Sequence, residues 1–293
     1  MRVFPRFELF FLAFYTSLIV LVGVLVFFMT GSGETLILAA LLLAFYLALA
    51  LGKPLRRRRA ARAQLPGEWR EFLQAQSPFY RGLEDKGRAG FERDVRLFLA
   101  ETRIAGTGGA PVSWQSRLLV AAGAAIMLHG RPDQEPPLRD GVTVYPGRAF
   151  DRNYRAGQGN IAGQAPAGGP LLVAEKSLHE GFADGHDGTN VIIHELAHYF
   201  DHEARKGGLK IVGASGVEMD WREAIAGEYR THDFAASALD PYAAQNEAEF
   251  FACASEVFFE RPGHLAAIHP GLFSLLVEFY GQDPRTTIMK GDR

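Results

Sequence analysis

Cysteine is nearly absent: Cys253 is the single one in 293 residues. That excludes an intrachain disulfide and a structural four-cysteine zinc site, and it agrees with a reducing compartment. A phosphate-binding glycine loop is missing too. The stretch from Gly157 to Gly169 neither follows a strand nor opens a helix in GxGxxG register, so it reads as an ordinary loop. No internal repeat is visible.

Charge is the third absence, from Leu9 to Phe28 and again from Thr35 to Leu51. The first run is long enough to cross a bilayer. The link from Thr30 to Glu34 leaves room only for a tight turn, so the pair reads as an N-terminal transmembrane helical hairpin with both ends on one side. Arg2 and Arg6 precede it, Lys53, Arg56, Arg57, Arg58, Arg59 and Arg62 follow it, and the turn carries only Glu34. By the positive-inside rule both ends are cytoplasmic, which places the chain in the inner (cytoplasmic) membrane as a multi-pass protein. A cleaved signal peptide would need a shorter apolar core and a small-residue cleavage site, and a soluble core helix rarely stays apolar all round for this length.

The basic run directly after a span suits anionic lipid headgroups. Residues 1–62 therefore read as the hairpin, with spans at about 9–28 and 35–51, plus a basic linker; residues 63–293 read as a separate domain. Residues 1–62 hold 8 Lys/Arg and 2 Asp/Glu, which leaves the rest with 23 and 31, a net charge of −8. Such a domain is a poor partner for nucleic acid.

Within it, Trp69, Phe72, Leu73 and Gln76 suggest one amphipathic helix and Phe91, Val95, Phe98 and Leu99 another. Ser113 caps an apolar helix from Trp114 to about Leu128 that holds Arg117 and is too short to span. Val142 to Tyr145 and Leu171 to Ala174 are β-prone runs bounded by Gly and Pro. Helical patterns return around Met219 to Tyr229, Tyr242 to Glu260 and Leu272 to Tyr280. The expected fold is α+β and rich in helix.

The chemistry lies in Asn190-Val191-Ile192-Ile193-His194-Glu195-Leu196-Ala197-His198. On a helix, positions 194 and 198 project from one face, so both imidazoles reach one metal while Glu195 addresses a water on it. Ile192, Ile193, Leu196, Tyr199 and Phe200 supply the apolar side of that helix, with Thr189 or Asn190 as its cap. A catalytic zinc takes three protein ligands and keeps one position open. His202 cannot converge with the other two histidines from the same straight helix and reads as solvated or as a residue behind the ligands. Asp201 and Ala204 stand where a metzincin needs Gly and His. The third ligand is then a Glu from a later helix, and Glu247, Glu249 and Glu256 all qualify by chemistry.

The segments NVIIHELAHYFD and DPYAAQNEAEFFACASEVFF, with the trailing Phe279-Tyr280-Gly281-Gln282-Asp283-Pro284, resemble the Mlc titration factor A (MtfA-like) family of bacterial zinc peptidases. The resemblance implies a gluzincin-like metallopeptidase domain with one Zn²⁺ held by His194, His198 and Glu249, Glu195 as catalytic base and Tyr242 in the active site. It also implies peptide or protein substrates, aminopeptidase activity, and a transcriptional regulator as a possible partner. An alternative is therefore a regulatory protein that sequesters a repressor at the membrane with little proteolysis.

Tyr242 and Glu249 are seven residues apart, about two helical turns, which puts the phenol on the same face as the ligand. Asp201 and Glu256 are candidates to fix the imidazole tautomers, Cys253 reads as a small core residue, and Leu171 to Ala174 as the strand that aligns extended substrate. An intramembrane protease would carry its motif inside an apolar span, whereas His194 lies far from both.

Overall fold

The computed structural model describes residues 6–138, 140–146, 169–207, 209–212 and 218–291. The chain divides into two compact units, Met1–Ala63 and Gln64–Arg293. In the first, α1 (Arg6–Thr30) and α2 (Gly33–Arg62) are both long and apolar enough to cross a membrane. Their connection is as short as the sequence requires: Gly31 adopts φ +65° and the Ser32 hydroxyl accepts the Glu34 N–H. The helices touch through small residues, since a Cβ on Gly23 would stand 2.6 Å from that of Ala39. Close backbone approach of this kind is how apolar helices associate where burial of oil-like surface cannot drive them. The Tyr46 hydroxyl adds a bond to the Phe11 carbonyl at 3.2 Å.

The outer faces of this pair are not covered by the pair itself: Phe28 is 79% exposed and Leu38 69%. The helical reading of 35–51 is extended by the structure, because α2 runs through Pro54 to Arg62 and carries the basic segment as helix rather than as an irregular linker.

The second unit begins with α3 (Gly67–Gln76), α4 (Pro78–Gly82) and α5 (Asp85–Glu101), then β1 (Ile104–Gly106) and α6 (Trp114–Leu128). The strands β2 (Val142–Tyr145) and β3 (Leu171–Ala174) complete a sheet in the order β1-β2-β3, parallel throughout, with Ile104 opposite Val142 and Val142 opposite Leu171. Parallel pairing demands crossovers, and α6 supplies the first. Nearly all of α6 is buried, as its apolar composition requires, and Ser113 caps it by accepting the Ser116 N–H. The glycine-rich segment between β2 and β3 lies outside the described residues, except for Gly169.

After β3 come α7 (Glu175–Ala183), α8 (Val191–Gly207), the antiparallel pair β4 (Lys210–Val212) and β5 (Glu218–Asp220), and α9 (Trp221–Thr231). The helical pattern read from Met219 starts later, since Met219 pairs with Ile211 and the Asp220 carboxylate caps a helix that opens at Trp221. Two short 3-10 turns, Phe234–Ala236 and Pro241–Ala244, precede α10 (Glu247–Glu260). The continuous helix read from Tyr242 to Glu260 is therefore broken. Asn246 sits at φ −168° and its side chain accepts the N–H groups of Ala248 and Glu249, each at 3.0 Å, which starts a new helix. The chain closes with α11 (Pro262–Ile268), α12 (Pro270–Tyr280) and α13 (Arg285–Gly291).

The helix that carries the histidines, α8, lies against α6 at one glycine. A Cβ on Gly123 would stand 2.7 Å from Ile192 Cγ2. Gly123→Ala should lower stability by about 1–3 kcal/mol through overpacking, although helix propensity alone favours Ala by about 1 kcal/mol. Adding Ile192→Ala should recover part of that loss. Denaturation of the full chain in detergent measures the cycle, and strictly additive losses would refute the contact.

Candidate metal centre

The carboxylates of α10 explain where α8 begins and how it is aimed. Glu249, Glu256 and Glu260 stand with Cys253 at i, i+4, i+7 and i+11, a spacing that lines one face of a helix. All four are buried. Buried carboxylates require donors, and the segment leading into α8 has them to offer. Glu260 Oε2 accepts the backbone N–H groups of Gly188 and Thr189 at 3.0 and 2.9 Å, and Oε1 accepts Asn190 Nδ2 at 3.0 Å. Glu256 Oε1 accepts the Asn190 N–H at 2.8 Å. The chain enters this clamp through Gly188 at φ +83°, a left-handed turn that favours glycine. Asn190 then caps α8, its side-chain oxygen accepting the Ile193 N–H and its carbonyl the His194 N–H.

Downstream of the clamp the two helices meet at the imidazoles. His194 Nε2 is 3.0 Å and His198 Nε2 3.6 Å from Glu249 Oε2, and the two rings are 5.0 Å apart at 81°. One ligand atom from each of these three side chains falls within 4.8 Å of the others. Bonds of about 2.0–2.2 Å to a tetrahedral zinc place neighbouring ligand atoms about 3.4 Å apart. The observed 3.0 and 3.6 Å bracket that edge, so the donor set of two nitrogens and one oxygen fits zinc in both chemistry and spacing.

Behind His194, Glu256 Oε2 takes a hydrogen bond from Nδ1 at 2.9 Å. With a metal ion bound, a proton held on Nδ1 would leave the Nε2 lone pair for the metal. Burial of His194 opposes its charge, but the charge of Glu256 and the hydrogen bonds that the ring makes to Cys253, Glu249 and Glu256 outweigh burial and raise its pKa well above the usual value. Burial likewise works against the Glu249 anion, yet the two histidines hold its pKa down at about 2. Burial pushes the Cys253 thiol up, and this sulfur lies against the His194 ring as a small neutral neighbour. For Glu260 burial prevails, helped by Asp187 and Glu256, and pushes the carboxyl up to about 9 against the Asn190 and Thr189 bonds.

Glu195 is half-buried. Burial, with the charges of Glu195 and Asp140, pushes the Tyr199 phenol up to about 12, and its hydroxyl donates to the Gly169 carbonyl at 3.1 Å just before β3. The front of α8 is thereby tied to the start of β3, the end strand of the described parallel sheet. The Tyr242 ring lies 6.2 Å from the His194 ring. It arrives there from its own 3-10 turn, where Asp240 Oδ1 accepts the Tyr242 N–H at 2.8 Å, and not from the helix of Glu249.

Of the three glutamates that sequence chemistry left open, Glu249 faces both histidines, Glu256 stands behind one of them, and Glu247 reaches Arg205 at 3.3 Å. Asp201 does not orient an imidazole: it accepts Arg205 Nε at 2.7 Å and Trp221 Nε1 at 2.8 Å, and so joins α8 to α9. His202 is exposed. Sequence reasoning named Asn190 only as one of two candidate caps and did not single out Glu260. A signal was there: Glu256 and Glu260 interrupt a helix whose other residues are almost all apolar or small, which marks carboxylates that must find buried donors.

The family model for glucose-regulated metallo-peptidase M90 matches residues 53–281. An uncharacterized protein of Synechocystis sp. is 28% identical over 235 residues, covering 75% of this chain and 86% of that protein. Mlc titration factor A of Cronobacter sakazakii is 34% identical over 131 residues, 42% of this chain and 49% of its own length. The protein of the same name from Salmonella gallinarum is 34% identical over 143 residues, 45% and 53%. The chain thus spans about half the length of these two relatives. The family match takes in α8, α10 and every residue placed at the candidate centre, as well as the greater part of the chain, which belongs to the glucose-regulated metallo-peptidase M90 family.

Proposed function

We propose that this protein is a membrane-anchored, zinc-dependent peptidase of the gluzincin type, with residues 1–62 as a hairpin anchor and 63–293 as the peptidase domain. The observation that carries the reading is the convergence of His194, His198 and Glu249 from two helices on one point. A zinc ion bound there supplies a Lewis acid that makes water nucleophilic near neutral pH and polarises the scissile carbonyl. Glu195, next to one ligand and partly open, takes the proton of the attacking water and returns it to the leaving amine. The Tyr242 phenol donates to the oxygen on which negative charge develops. Extended peptide aligns along β3, and removal of an amino-terminal residue is the cleavage favoured by the family resemblance.

Anchorage rests on the exposed apolar flanks of α1 and α2. Together these faces form an apolar surface far larger than a soluble monomer usually exposes, and acyl chains would cover it. The basic end of α2 belongs on the cytoplasmic side, where anionic headgroups meet it, and the peptidase domain follows on that side.

A second reading has its own support, the printed name of two relatives matched over part of the chain, Mlc titration factor A. On that reading the domain binds a transcriptional repressor at the membrane and hydrolyses little. One substitution separates the two. Glu195→Gln should keep zinc and fold while abolishing peptide hydrolysis; a regulatory effect that survives intact in this variant would favour the binding role. Tyr242→Phe should lower kcat by about 10²-fold with zinc retained.

Metal analysis of the full chain should find about one zinc per molecule. Glu249→Ala should lose it, Glu247→Ala should keep it, and Glu256→Ala should weaken it by about 10–100-fold. Zinc retained at full affinity in the Glu249 variant would sink the ligand assignment.

A further inference from the structure

The segment that delivers Tyr242 is held from a distance by two histidines that take no part in the candidate centre. His232, just after α9, places Nε2 2.6 Å from the Ser237 hydroxyl. His269, at the corner between α11 and α12, accepts the Ala238 backbone N–H at Nε2 over 3.2 Å. Ser237 Oγ accepts the Leu239 N–H, and Asp240 then accepts the Tyr242 N–H, so the anchored stretch passes directly into the turn that carries the phenol. The corner is itself firm. The His269 N–H bonds to the Leu265 carbonyl, its own carbonyl accepts the Phe273 N–H, and Pro270 follows.

We propose that His269 is a positioning residue for Tyr242, acting through its bond to Ala238 to set where the phenol stands against the metal-binding imidazoles. The proposal rests on the peptidase reading above. Accepting an N–H requires a free lone pair on Nε2, so the ring proton must sit on Nδ1. The surroundings keep that lone pair available. His269 and His232 lie 4.4 Å apart between ring centres, so a proton on both would set two cations side by side. Burial holds each below its usual pKa, aided by His264 for His269 and by His269 for His232, while Asp233 opposes in both cases. Glu228, the other carboxyl that faces the pair across a cavity of about 430 Å³, is itself pushed up by burial. The pair touches none of the proposed zinc ligands directly; His232 packs on Phe250 at 4.9 Å.

The test uses the zinc-loaded full chain in detergent with His269→Leu, His269→Gln, His269→Asn and Tyr242→Phe. A glutamine amide can offer its oxygen where Nε2 sits, whereas asparagine is too short. We expect His269→Leu and His269→Asn to lower kcat by up to about 10²-fold, with KM and zinc content little changed. His269→Gln should restore most of the rate. The combination of His269→Leu with Tyr242→Phe should be no slower than Tyr242→Phe alone, because a residue that acts through the phenol has nothing left to act on.

Losses that multiply in the double variant, an unaltered kcat in His269→Leu, or equal rates in the Gln and Asn variants would each overturn the proposal. Should zinc-loaded wild type hydrolyse no peptide, the peptidase reading fails by itself. The latch is then decided by hydrogen exchange at the Ala238 amide, which must lose protection in the Leu and Asn variants and keep it in the Gln variant.

Discussion

Two carboxylates on one face of α10, Glu256 and Glu260, reach the start of α8, and the rest of the site follows from that contact. The first N–H groups of a helix and the residues just before it have no partners within the helix, and they carry partial positive charge. Glu256 and Glu260 take up the main-chain donors of Gly188, Thr189 and Asn190, which fixes both the residue at which α8 starts and its rotation about its axis. Rotation decides everything further on, because side chains along a helix advance in fixed steps. Once Asn190 is held, His194 and His198 face Glu249 without separate placement.

This arrangement is costly by itself. A buried carboxylate without partners loses several kcal/mol of hydration, so the clamp is stable only because each oxygen finds a donor. Apolar packing surrounds it. Gly123 lets α6 come close to α8, and Trp221, itself bonded to Asp201, packs edge-on against Phe251 and at a tilt against Phe279, at 5.1 and 4.2 Å between ring centres. The polar clamp gives direction and the apolar layer gives rigidity. Neither alone would hold two rings and a carboxylate within a fraction of an ångström of a usable geometry.

Much of this was legible beforehand, and the failures share a cause. Residues 194 and 198 lie on one face, with 195 beside them, because of local helix geometry, which any helix former in that register reproduces. The uncharged runs before Lys53 announce two long apolar helices by composition. The second uncharged run ends at Leu51, whereas the helix that contains it continues to Arg62, because Arg and Lys in the basic linker are good helix formers. Tyr242 was assigned to the face of Glu249 by counting along one helix, and the count failed at Asn246, whose side chain competes for the next helix's N–H groups. Asp201 looked like a partner for an imidazole by proximity in sequence, whereas the nearest strong donors in space, Arg205 and Trp221, claimed it.

What the sequence determined by itself is therefore what depends on neighbours along the chain: the two long apolar helices, the histidine pair with its glutamate, the excess of acid beyond residue 62, and the family pattern that ties Glu249 to them. What only the tertiary structure decided is which carboxylate faces the rings, which stands behind them, and by what route Tyr242 arrives. Partners 55 and 62 residues apart, such as Glu249 and Glu256 with His194, are selected by helix packing and by the demand that every buried polar atom be satisfied. Neither constraint leaves a mark on local propensity, so both become visible only when α8 and α10 lie against each other.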